Sequence, residues 1–325
     1  MDAARSWIGT CRGAEVLDLE PLAGGAGRRR YWRASERGGS TSVLVQCAAE
    51  DPHILPPALR RVADVPLHRS PFVEITHLLE AEGIPVPHIL GIDEDRAWLL
   101  LEDAGERHLL ELEPAERMQR YSELMPLVAR VHAIAPSDAT PFQRHFDAEW
   151  VGFELGLFLE LVPKGGLREA AASAFAGLAR EIAALPRVLC LRDLQSQNVL
   201  IDAQGSLRLI DYQDALLAPP ALDLAALLCD SYVDIARSDR ARLLGEYAAA
   251  GGAACDAAQL SLLTTQRKCK DFSRFRTLVN AGDEVRYAPA ERRARASILD
   301  ALPDLPDSQA VLRECLPEVL EACSA

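Results

Sequence analysis

The sequence predicts an α+β fold with two lobes, a small β-rich N-terminal lobe and a larger, mainly helical C-terminal lobe. The chain has 325 residues, of which 49% are hydrophobic, and this length allows two lobes with substantial cores. Apolar and polar residues alternate with the period of a strand over much of the first hundred residues, whereas from about residue 114 apolar residues recur with the period of a helix. We expect the lobes to comprise residues 1–103 and 104–325.

The N-terminal elements follow from this alternation. Residues 14–47 contain two alternating runs on either side of glycine-rich breaks, which predict antiparallel strands. The segment "SPFVEITHLLEAEG" has apolar residues at helical spacing, with Ser70 as a possible N-cap, Pro71 in the first turn and Gly83 as a stop. Residues 86–105 then predict two more strands.

The C-terminal elements are predicted to be helical. Residues 114–136 place apolar side chains on one face, and Pro126 within this segment predicts a kink or a break. The segment "REAAASAFAGLAREIAAL" predicts a further, alanine-rich helix, and no internal repeat is visible. A chain of this kind is a mixed two-lobe protein and not a repeat array.

Composition excludes several classes of function. The net charge of −13 argues against a nucleic-acid surface, although it leaves a cationic small molecule possible. The eight cysteines form no C-x-x-C pair, so we expect reduced, mostly buried thiols and no cysteine metal site. The apolar runs are too short to cross a bilayer or to form a signal peptide. We therefore expect a cytoplasmic, monomeric protein without membrane contact.

The chemistry is concentrated in "LCLRDLQSQNVLIDAQGSLRLIDYQDA", residues 189–215. Two short apolar runs around "DAQG" predict a β-hairpin, with Asn198 just before its first strand and Asp211 just after its second. Asp193 lies five residues before Asn198. The spacing brings three oxygen-bearing side chains together, and oxygen ligands are those that Mg²⁺ prefers. The plainer alternative is that Asp and Asn merely occupy turns; it explains each residue singly but not their joint spacing.

The same stretch follows the protein-kinase pattern H-R-D-L-x-x-x-N and D-F-G, except that Leu191 replaces the histidine. On that template Asp193 accepts the proton of the attacking hydroxyl, while Asn198 and Asp211 hold the Mg²⁺ that bridges the ATP phosphates. The histidine is a support residue, so its loss is expected to cost one buried hydrogen bond, about 1–3 kcal/mol. We therefore expect a competent enzyme.

The chain resembles the aminoglycoside phosphotransferase/choline kinase superfamily, which has a protein-kinase-like fold. Within it the resemblance is greatest to the bacterial kinases of N-acetylmuramate and N-acetylglucosamine that serve cell-wall recycling. The blocks that carry it are "RRRYWRA", "SPFVEITHLLEAEGIPVPHIL", "LLLEDAG", "RDLQSQNVLID", "IDYQDALLAPPALDLAALLCDSYV" and "QRKCKDFSRF". The resemblance implies transfer of the ATP γ-phosphate, with Mg²⁺, to the anomeric hydroxyl of an amino sugar.

For ATP, the resemblance implies a phosphate-covering loop in "LAGGAGRRRYWR" and an adenine-reading hinge in "LLLEDAG". The strand that carries a phosphate-binding Lys in protein kinases is "TSVLVQC" here, and Gln46 is the expected occupant of that position. Glu74 matches the helix Glu that pairs with that Lys, and an arginine of the 28–30 run could supply the missing charge. The candidate ATP-binding residues are Gly24, Gly25, Gly27, Arg28, Arg30, Glu102 and Ala104.

For the substrate, the resemblance points first to Glu154 in "FDAEWVGFELGLF", with an exposed helical Glu as the equal alternative. The further candidates that flank the matched blocks are Gln195, Gln197, Asp230 and Arg267, and Asp214 resembles the second acidic position of the family. His132 and Asp223 are expected to be structural, Asp223 as a brace of the catalytic loop. Two other functions stay open: an aminoglycoside- or choline-type kinase, and a catalytically silent binding protein motivated by Gln46 and Leu191.

Overall fold

The computed structural model describes residues 1–22, 29–47 and 66–323. Its helices are α1 (Asp2–Arg12), α2 (Pro71–Ala81), α3 (Pro114–His132), α4 (Ala148–Leu159), α5 (Gly166–Ala184), α6 (Ala221–Leu228), α7 (Arg237–Ala249), α8 (Ala257–Asn280), α9 (Glu284–Ala301) and α10 (Ala310–Ala322). Its strands are β1 (Val16–Leu22), β2 (Arg30–Glu36), β3 (Thr41–Gln46), β4 (Ile89–Asp93), β5 (Trp98–Glu102), β6 (Arg107–His108), β7 (Val188–Cys190), β8 (Val199–Ile201), β9 (Leu207–Leu209) and β10 (Leu216–Ala218).

The chain divides into two compact units, the first comprising residues 1–107 and 199–213. Its centre is a five-stranded antiparallel sheet in the order β1-β2-β3-β5-β4. Because successive side chains on a strand point to opposite faces, each face has its own core. Ile8 of α1 packs with Leu44 and Leu100 on one face, and Val73 of α2 packs with Val45 on the other.

The hairpin of β8 and β9 belongs to this first unit. The amide of Leu209 donates to the carbonyl oxygen of Pro85 at 2.8 Å. The guanidinium of Arg208 donates to Asp202 within the hairpin and to Glu102 at the end of β5, at 3.0 and 3.2 Å. These bonds fix the hairpin beside the strand that leads into the predicted hinge.

The second unit comprises residues 108–198 and 214–325 and is mainly helical. Its 24-residue helix α8 begins with a capping box in which Asp256 and Gln259 exchange side-chain and backbone hydrogen bonds. Phe272 of α8 packs against Phe158 of α4, and both side chains are buried. The loop that carries Asp193 belongs to this unit.

The structure confirms the α+β class, the strands before and after α2, the helix beginning at Pro71 and the hairpin. Of the kink or break expected at Pro126, the break does not occur, since α3 runs through this residue without interruption, and a kink stays a prediction. All eight cysteines are free, but only three of them are buried. Within the described residues, no helix is both long and apolar enough to cross a membrane. The lobe boundary at residue 103 stays a prediction.

Candidate active site

The backbone before Asp193 is fixed by a buried carboxylate. Asp223 of α6 accepts hydrogen bonds from the amides of Leu191 at 2.7 Å and Arg192 at 2.8 Å. Arg192 has a φ of 72°, in the left-handed region that costs a non-glycine residue free energy, so these bonds stabilise a strained conformation. His132 contacts Asp223 through Nε2 at 3.3 Å and the hydroxyl of Tyr247 through Nδ1 at 2.7 Å. Asp223 and His132 thus have the structural surroundings that the sequence predicts.

The carboxylate of Asp193 lies among three cations. Its Oδ1 accepts a hydrogen bond from Arg267 Nη2 at 2.7 Å and lies 3.5 Å from Lys270 Nζ. Its Oδ2 lies 3.4 Å from Arg192 Nη1. Burial alone would raise the pKa of Asp193, but the charges of Lys270, Arg267 and Arg192 outweigh it and hold that pKa well below its usual range. The carboxylate is therefore ionised and fixed in direction.

Glu154 is held in place by a hydrogen-bond network around Arg192. Arg192 donates to Glu154 at 2.9 Å and to Asp214 at 2.8 Å, and its guanidinium lies 5.4 Å from the ring centre of Trp150. Gln266 and the indole of Trp150 also donate to Glu154, at 2.7 and 3.1 Å. The alternative of an exposed helical Glu154 is therefore wrong, because the residue is only 3% exposed.

One face of α8 supplies most of the groups around Asp193. Gln266, Arg267, Lys270 and Asp271 recur at positions one turn apart, so they lie on the same side of the helix. Arg267 was predicted from the sequence, whereas Gln266, Lys270 and Asp271 were missed. Their shared helix face is visible in "QRKCKDF", but the sequence does not show that this face meets Asp193.

The remaining substrate candidates lie in the same unit with different partners. Asp230 accepts from the amides of Ser196 at 2.7 Å and Tyr232 at 2.8 Å, which shapes the loop after Asp193. Gln195 Nε2 lies 3.5 Å from Asp271 Oδ2. Whether Glu154, Gln195, Asp214, Asp230 and Arg267 contact a substrate stays a prediction.

The two predicted metal ligands are each positioned within their own unit. In the second unit, Asn198 Nδ2 donates to the backbone carbonyl of Asp193 at 2.7 Å, which fixes the direction of its amide oxygen. In the first unit, Asp211 follows β9 with a φ of 62°, and Gln213 donates to its Oδ1 at 3.0 Å. A carboxylate and an amide oxygen are ligands that suit Mg²⁺.

Tyr212 secures the segment around Asp211 within the first unit. Its ring stacks on Phe72 of α2 with 5.4 Å between ring centres, and its hydroxyl lies 2.9 Å from Thr76 Oγ1. The side chain is buried. The position that holds Phe in the D-F-G pattern therefore packs on the helix that carries Glu74.

The structure corrects the assignment of Gln46 to the Lys position. Gln46 is exposed and, two residues beyond Leu44, shares the face of the sheet that packs on α1. Cys47 instead packs with Val43 and Val45 in the cluster that includes Val73 of α2. A side chain pairing with a helix Glu must face α2, so the matching position is Cys47.

The predicted ATP-binding residues are only partly described. Gly24, Gly25, Gly27 and Arg28 lie outside the described residues. Arg30 is exposed at the start of β2 opposite Gln46, Glu102 ends β5, and Ala104 is buried. Their contact with ATP stays a prediction.

The profile of the phosphotransferase enzyme family known as APH matches residues 18–263, a span that includes Asp193, Asn198 and Asp211. The chain belongs to this family. Among solved structures, the choline kinase LicA of Streptococcus pneumoniae is similar with a TM-score of 0.65 and 15% identity, over 92% of this chain and 98% of that one. An AMP-bound spectinomycin phosphotransferase is similar with a TM-score of 0.63 and 12% identity, over 95% and 97%. The protein-kinase-like fold predicted from the sequence is thereby confirmed.

Curated relatives in this family carry a more specific name. An N-acetylmuramate/N-acetylglucosamine kinase of Pseudomonas putida is 29% identical over 54% of this chain and 54% of its own length. One of Neisseria meningitidis is 24% identical over 71% and 66%, and one of Pseudomonas aeruginosa is 28% identical over 66% and 61%. The match spans between about half and two thirds of the length of these relatives.

Proposed function

We propose that this chain is an ATP- and Mg²⁺-dependent kinase that phosphorylates an amino sugar, at the anomeric hydroxyl of N-acetylmuramate or N-acetylglucosamine. The observation that carries the proposal is the ionised carboxylate of Asp193, oriented by Arg267 and by the loop that Asp223 fixes. The names of the curated relatives support the sugar class. A place in cell-wall recycling belongs to the same proposal.

Asp193 accepts the proton of the attacking hydroxyl in this proposal. A carboxylate whose pKa is held so low is a weak base, so its main contribution is to orient the hydroxyl oxygen toward the γ-phosphate. Phosphoryl transfer passes through a loose transition state, in which positioning and charge neutralisation matter more than the strength of the base. The fixed geometry of Asp193 suits this requirement.

Asn198 and Asp211 are the proposed metal ligands, and Mg²⁺ bound by them would neutralise the charge of the transferred phosphate. Gly24, Gly25, Gly27 and Arg28 are proposed to cover the phosphates, and main-chain groups of Glu102 and Ala104 to read the adenine.

The ion pairs around Asp193 are balanced in charge and give no preference for a cationic acceptor. The ion-pair network there contains four carboxylates and four cations, so the acidic charge of the whole chain does not extend to this place. Its members are Glu154, Asp193, Asp214 and Asp271 with Arg192, Arg267, Lys268 and Lys270. Asp214 and Lys270 keep 26% and 20% of their side chains exposed and can contact sugar hydroxyls or the N-acetylmuramate carboxylate. A cationic acceptor such as an aminoglycoside or choline would need an excess of negative charge, and these ion pairs do not provide one.

The test is coupled ADP release with ATP and Mg²⁺ across N-acetylmuramate, N-acetylglucosamine, aminoglycosides and choline. The wild-type chain should release ADP with the amino sugars and form a sugar 1-phosphate. Asp193→Ala should lower turnover at least about a thousandfold while ATP binding remains. The exposed Asp138→Ala is the matched control and should behave as wild type.

Two results would contradict the proposal. Retained sugar 1-phosphate formation by Asp193→Ala would overturn the role of Asp193. ADP release with aminoglycosides or choline alone would show that the acceptor belongs to one of those classes. The absence of both ADP release and an ATP-dependent thermal shift would indicate a catalytically silent binding protein.

A further inference from the structure

The first unit has no Lys at the position at the end of β3 that faces α2. That position is Cys47, which packs beside Val43 and Val45. In protein kinases a Lys on this strand pairs with the ATP phosphates. If the chain binds ATP as proposed, another cation must meet the phosphate charge from this face of the sheet.

The strand register shows which residue is the cross-strand neighbour of Cys47. Arg30 of β2 lies opposite Gln46 and Tyr31 opposite Val45, so the preceding residue, Arg29, lies next to Cys47. Side chains on a strand alternate, which places Arg29 on the face of Tyr31 and Arg30 on the opposite one. Tyr31 packs in the cluster that includes Val73 of α2, so the face of Arg29 is the α2 face.

The side chain of Arg29 is fixed by its neighbours in the first unit. The side chain is half-buried and donates a hydrogen bond to Tyr31. A guanidinium stays protonated in proteins, so Arg29 is a cation on this face of the sheet. Asp211, the proposed metal ligand in the same unit, is one of the groups that interact with it electrostatically. In a protein kinase the strand Lys and the D-F-G Asp likewise both serve the phosphates and their metal.

We propose that Arg29, the residue just before β2, replaces the missing strand Lys and binds the phosphates of ATP from the α2 face of the sheet. This inference rests on the proposed ATP-dependent function and names the residue that supplies its phosphate contact. Arg30, which the sequence alone could not distinguish from its neighbours, lies on the other face. A guanidinium presents its donors in a fixed planar fork that can bind two phosphate oxygens side by side, whereas the ammonium of a Lys is a compact point charge.

The test compares ATP with adenosine on the full chain, by isothermal titration with Mg²⁺ present. Arg29→Ala should weaken ATP binding about tenfold to hundredfold, the loss of one or two charge-assisted hydrogen bonds. Adenosine has no phosphate, so its affinity should be unchanged. Arg37→Ala is the control, because Arg37 is an exposed arginine of the same unit that pairs with Glu15.

A charge-relocation variant separates phosphate binding from a merely structural role. Adding Cys47→Lys to Arg29→Ala returns a cation to the protein-kinase position and should restore most of the ATP affinity. Unchanged ATP binding in Arg29→Ala would overturn the inference, as would an equal loss for ATP and adenosine. A larger loss in Arg30→Ala than in Arg29→Ala would also overturn it. If the wild-type chain bound no ATP, the proposed function itself would fail, and this inference with it.

Discussion

A single side chain, Arg267, holds both the backbone before Asp193 and the carboxylate of Asp193. Its Nη1 donates to the carbonyl oxygen of Arg192 and its Nη2 to Asp193 Oδ1, both at 2.7 Å. Its Nε lies 3.3 Å from Asp271 Oδ1, and the side chain is 2% exposed. A planar guanidinium can span these positions, whereas an ammonium is a point charge. Arg267 therefore acts on the proposed chemistry as a positioning residue.

Arg267→Lys is predicted to lower kcat about tenfold to hundredfold, because the charge remains but the paired hydrogen bonds to Asp193 and to the carbonyl of Arg192 are lost. ATP affinity should change little, since the residues proposed to bind ATP lie in other segments. Steady-state kinetics and ATP titration measure the two quantities. An unchanged kcat would show that the orientation of Asp193 does not depend on Arg267.

Asp271→Asn is predicted to reduce the dependence of stability on pH. Burial alone would raise the pKa of Asp271. The charges of Lys268, Arg267 and Lys270 lower that pKa by more than burial raises it, so the pKa in the folded state lies below the unfolded value of about 3.9. Its stabilising contribution is therefore present above about pH 4 and is lost as the pH falls toward the folded pKa.

Asp271→Asn removes the charge that pairs with Lys268 and Arg267 in the interior, and this should lower the free energy of unfolding by about 3–5 kcal/mol at pH 7. Because Asn does not titrate, the difference in unfolding free energy between wild type and variant should shrink as the pH falls from about 5 to 3. Urea denaturation across this range measures it, with the exposed Asp138→Asn as control. A difference that stays constant with pH would contradict the prediction.

The local part of the proposed site could be predicted from the sequence, because its residues are close together along the chain. Asp193, Asn198 and Asp211 are placed by one loop and one hairpin, whose turn residues and apolar runs are visible in the sequence. Lys270 was missed for the opposite reason. It reaches Asp193 from a helix more than seventy residues further on, and spacing within α8 cannot reveal which loop the helix face meets.

Two further errors have physical causes. The shift from Gln46 to Cys47 is one residue, which on a strand moves a side chain to the other face of the sheet. The exposed alternative for Glu154 ignored its position in the helix "AEWVGFELGLFL", where it shares the buried face with Trp150, Leu155 and Phe158. A Glu on a buried face needs partners, and Arg192 and Gln266 supply them.

Gly105→Ala is predicted to destabilise the protein more than Gly38→Ala. Both glycines have a positive φ, 92° and 112°, so a side chain strains each of them. Only at Gly105 would the added Cβ also meet backbone, 3.1 Å from the carbonyl oxygen of Ile201 in β8. We expect a loss of about 1–3 kcal/mol from strain at either glycine, with a further loss at Gly105. Urea denaturation measures both, and equal losses would show that the β8 contact is relieved without cost.

Asp223→Asn is predicted to lower both stability and kcat, because Asn has one acceptor oxygen where Asp223 uses two. One of the amides of Leu191 and Arg192 would lose its buried acceptor, at a cost of about 2 kcal/mol, and the strained φ of Arg192 would lose support. The peptide before Asp193 should then move, and kcat should fall by more than tenfold at unchanged ATP affinity.

The matched variant is His132→Gln, which leaves both amide bonds of Asp223 in place and removes only the ring between Asp223 and Tyr247. It should lower the urea midpoint as Asp223→Asn does, while kcat falls much less. This separation is expected because the peptide before Asp193 is bonded, through the amides of Leu191 and Arg192, to Asp223 and not to His132. If both variants lowered kcat equally, the loss would follow from general destabilisation, and the brace from Asp223 would have no specific part in positioning Asp193.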